Sequence, residues 1–188
     1  MENYFHNIVW IFLEVGANLW ELVKNQENIA STTESILHGD FECTLDDKGR
    51  ILLPVALKKQ LPTHAQNRFV IARGDDEHAV IYPYNVWIQY LKKLGQLNRH
   101  VKENREFVRM VKTHSAEAVL DANGRLSIPK NLIGEAGIKK DIVLKGSNYL
   151  IEVWAKEIHD KLYGIKPSNF AELAQQVGSA IDMSDFQF

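Results

Sequence analysis

The chain carries one ten-residue phrase twice, LDDKGRILLP at Leu45–Pro54 and LDANGRLSIP at Leu120–Pro129. A shift of 75 positions lays Leu45 on Leu120, Asp46 on Asp121, Gly49 on Gly124, Arg50 on Arg125 and Pro54 on Pro129, so five of ten positions are identical. Ile51 with Leu126 and Leu53 with Ile128 keep their apolar character, and upstream Glu42 meets Glu117. With the register changed by three, Gly74 meets Gly146 and Tyr82 meets Trp154. Self-similarity of this kind makes the fold a duplicated module.

Each copy predicts the same string of elements. A short strand (Phe41–Leu45; Ala116–Leu120) enters a tight turn whose Gly49 or Gly124 takes a positive φ at little cost. A second strand follows (Ile51–Leu53; Leu126–Ile128), then Pro54 or Pro129 at the first position of a short helix, where a missing N–H is harmless. The helix of copy two stops at Gly137. Two more strands, Phe69–Arg73 with Ala79–Tyr82 and Ile142–Leu144 with Tyr149–Trp154, form hairpins through Gly74 and Gly146. Between the copies, Trp87, Ile88, Leu91, Leu94 and Leu97, and then Phe107, Val108 and Val111, recur at helical spacing. Lys156–Leu162 and Asn169–Val177 predict further helices, with a short tail at Gly178–Phe188. The expected organisation is an extension at 1–35, one module at 36–84, connecting helices at 85–114, a second module at 115–158, and helices and tail at 159–188.

Residues 1–35 do not match the rest. Ile8–Val23 is an apolar run interrupted by Glu14, Asn18 and Glu21, too short and too charged for a membrane span and lacking the basic start of a secretory signal. It reads as an amphipathic helix with a polar linker, or as an over-extended reading frame whose true start lies near Leu37. The net charge of -2 hides an asymmetry, because residues 1–35 hold five acids and one base, leaving 21 basic against 19 acidic residues afterwards. A mildly basic body binds a polyanion only through local clusters and through several subunits together. The single Cys43 excludes an internal disulfide, the seven scattered histidines suggest no metal site, and the expected compartment is a reducing cytosol. No phosphate loop, nucleophile elbow or paired catalytic carboxylates are present, which disfavours an enzyme. No cofactor and no small-molecule substrate are expected.

Asp46 and Arg50 stand four apart across a glycine turn, as do Asp121 and Arg125. The aspartate can accept backbone N–H bonds and close the turn. The arginine offers a planar fork of donors suited to phosphate oxygens or to guanine. Lys48 and Asn123 flank the two arginines, and Lys58, Lys59 and Lys130 come from the adjoining short helices. An internal Asp–Arg pair that merely locks the turn is the alternative. The seven Lys and Arg residues between Lys92 and Lys112 form either a solvated helix face or a second contact surface, and Asp75, Asp76 and Glu77 a solvated hairpin tip.

The doubled LDxxGRxxxP pattern, with the intervening helix and AVIYPYNVW, resembles the MraZ family of bacterial transcriptional regulators, built from tandem SpoVT/AbrB-type domains. The resemblance runs from Ile36 to the helix near Val177. It implies an α+β fold in which two AbrB-like modules interlock as one double-split, swapped-hairpin β-barrel with peripheral helices. It further implies a ring-like homo-oligomer and double-stranded DNA as partner. DNA contact would come from the DxxxR turns, here Asp46 with Arg50 and Asp121 with Arg125; the residue pattern itself adds Lys48, Lys58, Lys59 and Lys130 as supporting contacts, with Asp46, Gly49, Asp121 and Gly124 shaping the turns. The implied target is direct repeats in the promoter of the protein's own division and cell-wall operon, with repression as the outcome, in cytoplasm and nucleoid. Arg50→Ala is expected to weaken binding, and Arg125→Ala to do so equally or less. Asn123 in place of Lys48 puts equal affinity of the turns in question. Two competing readings are a protein-binding module like the AbrB-fold antitoxins and a general nucleoid protein.

Overall fold

The computed structural model describes residues 36–61 and 67–164. The amphipathic run and linker expected within 1–35, the helix expected at Asn169–Val177 and the tail beyond it lie outside the described residues. In chain order the elements are β1 (Leu37–Thr44), β2 (Arg50–Leu52), α1 (Val55–Gln60), β3 (Arg68–Arg73), β4 (Ala79–Pro83), α2 (Tyr84–Leu94), α3 (Lys102–Thr113), β5 (Ser115–Val119), β6 (Arg125–Ser127), α4 (Lys130–Glu135), β7 (Asp141–Asn148), β8 (Leu150–Ala155) and α5 (Lys156–Tyr163). The fold is mixed α+β with antiparallel pairing, and the string β-β-α-β-β occurs twice. Among the described residues no helix is long and apolar enough to cross a membrane.

The copies exchange their first strands. The main sheet runs β1-β7-β8-β4-β3-β5, so β1 of copy one pairs with the hairpin of copy two, and β5 of copy two with the hairpin of copy one. The hairpins meet at the centre, where β4 pairs with β8 and Ile81 stands opposite Ile151. The sheet is open: β1 and β5 stand at its two ends and do not pair with each other. The remaining strands, β2 and β6, form a separate two-stranded ribbon.

Alternation along the strands divides the two faces. Phe69, Ile71, Ile81, Ile142, Leu144, Ile151 and Val153 point to one side and pack with Ile51, Leu53, Leu126 and Ile128 of the ribbon and with Leu57 and Leu132 of the short helices. Val70 and Ala72 point to the other side, under Trp87 of α2. The Tyr82, Tyr84, Trp87 and Tyr90 series is packing material there: Tyr82 stacks on Tyr90 at 6.0 Å and meets Trp87 at 5.2 Å.

Two local expectations change. Pro54 and Pro129 keep extended ψ angles of 140° and 138°, so they cap the short helices rather than begin them, and their carbonyls accept the N–H groups of Lys58 and Ile133. Gly146 does not turn the second hairpin. It lies inside β7 opposite Gly39 of β1, where an added Cβ would press on the His38 backbone, and the turn comes at Asn148, which takes the left-handed conformation with φ 54°. The stop at Gly137 holds: φ is 60°, and the N–H of Ile138 reaches back to the carbonyl of Ile133.

Candidate nucleic-acid interface

The LDxxGR phrases form two turns set back to back on the β2–β6 ribbon. Ile51 stands opposite Leu126 at its centre, with Arg50 opposite Ser127 and Leu52 opposite Arg125. Ile51 and Leu126 are fully buried, so the ribbon is pinned to the core by its middle while its ends carry the turns outward.

Within each turn the same hydrogen bonds recur. Asp46 Oδ1 accepts the N–H groups of Lys48 and Arg50 at 3.0 and 2.9 Å, and Asp121 Oδ1 accepts those of Asn123 and Arg125 at 2.8 and 2.9 Å. Each aspartate donates its own N–H to the carbonyl of its arginine. Gly49 and Gly124 have φ of 75° and 76°, a conformation that a Cβ would strain. The turn-shaping positions Asp46, Gly49, Asp121 and Gly124 are thus equivalent in backbone terms.

The arginine side chains are not equivalent. Arg50 Nε donates to Asp46 Oδ2 at 2.8 Å and its Nη2 lies 2.7 Å from the same oxygen. This side-chain bond is the main reason the Asp46 carboxyl is lowered to about 2, and in turn it raises the Arg50 guanidinium. Among the described residues the Arg125 side chain makes no hydrogen bond or ion pair, and it is exposed. Asp121 is still lowered, chiefly by the backbone N–H of Arg125. The turn-locking pair weighed from spacing alone therefore exists in copy one and not in copy two.

The lysines divide unequally as well. Lys58 on α1 lays its ammonium against Gly124, so a Cβ there would collide with it. At the matching place in copy one, Gly49 faces Ile133 of α4 at 3.2 Å from a built Cβ. The Arg125 turn of copy two is thus joined by a lysine from copy one, whereas the Arg50 turn is joined by an apolar side chain. Lys48 is exposed in the first turn, Lys59 on α1 and Lys130 at the start of α4. The 75-residue shift already sets Ile133 opposite Lys58 and Gly134 opposite Lys59, a signal that comparing the turns alone does not pick up.

The second basic stretch is partly occupied. Arg105 of α3 donates to the carbonyls of Arg99 and His100 at 2.8 and 3.0 Å, and Lys102 lies 3.6 Å from Glu106.

A family model described as "MraZ protein, putative antitoxin-like" matches residues 36–110 and 113–177. A protein of Christiangramia forsetii named transcriptional regulator MraZ is 39% identical over 142 residues, covering 75% of this chain and 92% of its own length. One of the same name from Flavobacterium psychrophilum is 36% identical over 149 residues, 79% of this chain and 95% of its own. Another, from Natranaerobius thermophilus, is 33% identical over 74% of this chain and 94% of its own. The solution structure of PHS018 from Pyrococcus horikoshii is 20% identical over 61% of this chain and 94% of that one, with a TM-score of 0.27, too low to support a comparison of folds.

Proposed function

The chain belongs to the MraZ family, and on that premise we propose that it is a transcriptional regulator that binds double-stranded DNA through its paired LDxxGR turns. The observation that carries this reading is the back-to-back placement of both turns on one ribbon, with the Arg125 side chain making no hydrogen bond or ion pair among the described residues and the Lys58 ammonium against Gly124 of the same turn. A planar fork of donors and a point charge supplied to one turn suit a phosphate-lined groove. Arg50, Lys48, Lys59 and Lys130 supply the remaining charge, Arg50 from a geometry fixed by Asp46.

A body that is only mildly basic binds DNA weakly one chain at a time. Several chains in a ring-like homo-oligomer, each reading one of a set of direct repeats, add their contacts. The proposed target is the promoter of the protein's own division and cell-wall operon, with repression as the outcome and the nucleoid as location. In the same reading the exchanged strands are the core of a double-split barrel that the ribbon helps to complete, its modules spanning 36–84 and 115–158 with 85–114 between them and 1–35 as an accessory extension.

Footprinting on the DNA upstream of the protein's own gene tests this: protected repeats spaced by about one helical turn, ~10 bp, are expected. A second reading, a protein-binding module, draws on the antitoxin-like description of the family model. Co-purification with a toxin-like partner, together with no retention on upstream DNA, would select it.

A further inference from the structure

The central β4–β8 pair has a second face. Ile81, Ile151 and Val153 turn into the core, so strand alternation sends Val80, Tyr82, Glu152 and Trp154 to the opposite side. There they line a cleft of about 210 Å³, walled by Asp75, Asp76 and His78 of the β3–β4 connection and by Tyr163 at the end of α5.

This cleft is negative. Three carboxylates line it and, among the described residues, no lysine or arginine does. The basic residue nearest in register, Lys145 opposite Glu152, is drawn instead to Asp40 at 3.5 Å and lies over the Tyr163 ring at 4.6 Å. Burial, and then the charges of Asp76 and Glu152, raise the Asp75 carboxyl, while burial lowers His78 and so favours its neutral imidazole.

His78 is only 8% exposed, stacks on Trp154 at 4.2 Å, and has an Nδ1 that is buried without a hydrogen-bond partner. A neutral imidazole nitrogen of this kind can accept from an ammonium donor. Trp154 Nε1 donates to Glu152 Oε2 at 2.8 Å, which fixes that carboxylate through one oxygen. Among the described residues no three His, Cys, Asp or Glu side chains converge as metal ligands, so the site does not suit a bare metal ion. Aromatic rings beside fixed negative charge favour a cation that carries a hydrocarbon body.

We propose that this cleft binds an organic cation, an alkylammonium or guanidinium group, whose charge is met by Asp75, Asp76 and Glu152 and whose stem lies along the partly apolar wall of the cleft. The group belongs either to a free amine or to a lysine or arginine side chain, and the binding chemistry is the same.

Calorimetric titration of the full chain, without DNA, tests it with three probes: 1,4-diaminobutane, blocked arginine (acetyl-arginine amide) and the neutral 1,4-butanediol. Saturable binding of at least one cation, none of the diol, and a loss of tenfold or more in both Glu152→Gln and the Asp75→Asn/Asp76→Asn double variant are expected. Tighter binding of the diamine assigns the source to a free amine, and tighter binding of blocked arginine assigns it to a side chain. No saturable binding of either cation, or binding unchanged in both variants, overturns the proposal and leaves the reading of the turns untouched.

Discussion

The carbonyl of Gly49 accepts the N–H of Ile128 at 2.8 Å, and the carbonyl of Gly124 accepts the N–H of Leu53 at 3.0 Å. Each turn glycine therefore holds the strand end of the other copy. The two turns are one mechanical unit, and a change in either is felt in both.

Alanine at Gly49 or Gly124 places a Cβ on a left-handed residue, at a cost of roughly 1–2 kcal/mol. Gly124→Ala also evicts the Lys58 ammonium, whereas Gly49→Ala meets only the tip of Ile133. Denaturant unfolding should show both variants destabilised. DNA titration should show the greater loss of affinity in Gly124→Ala.

Asp46 links stability to acidity. Its carboxyl falls from the ordinary aspartate value of about 3.9 to about 2 in the folded chain, chiefly through Arg50. A lowered folded value means stability that is full above the ordinary value and is lost as pH falls toward about 2. Asp46→Asn should be less stable than the parent at neutral pH, and the difference should shrink across that acid window in unfolding curves recorded by circular dichroism.

Ile51 and Leu126 face each other at the centre of the ribbon and are fully buried. Truncation of either to alanine should cost about 2–5 kcal/mol in chemical unfolding. Because they share one packing site, the double variant should depart from the sum of the singles.

Much of this molecule was legible in its repeat. The phrase at Leu45–Pro54 and Leu120–Pro129 located the turns, the positive-φ glycines and the short helices, because those depend on neighbours in the chain. The exchange of β1 and β5 between hairpins came only from family resemblance, since pairing Phe41 with Leu144 is a long-range choice that local spacing does not encode. Gly146 looked like a turn residue but serves close strand approach to Gly39, two uses of glycine that sequence alone does not separate. The inequality of Arg50 and Arg125 was hidden because the Asp–Arg spacing is identical in both copies. What differs is the side-chain geometry at Asp46 and the residue brought in by the facing helix, Lys58 or Ile133. The cleft at His78 and Trp154 draws on strands and a helix of both copies, and no motif marked it.

Arg50 is locked to Asp46, whereas Arg125 makes no side-chain bond or ion pair among the described residues, so the two have different expected effects on stability. Arg125→Ala should leave thermal unfolding near that of the parent. Arg50→Ala should lower it, because Asp46 loses its partner.

Affinity for the DNA upstream of the protein's own gene, measured against salt for the parent, Arg125→Ala and the Arg50→Ala/Arg125→Ala double variant, reads out DNA contact by the paired turns. For every phosphate that a variant no longer neutralises, the slope of log affinity against log salt should flatten by about 0.9. A shallower slope and weaker binding are expected in Arg125→Ala, further reduced in the double variant, with both still folded. Parent-like slope and affinity in the folded double variant would contradict that contact.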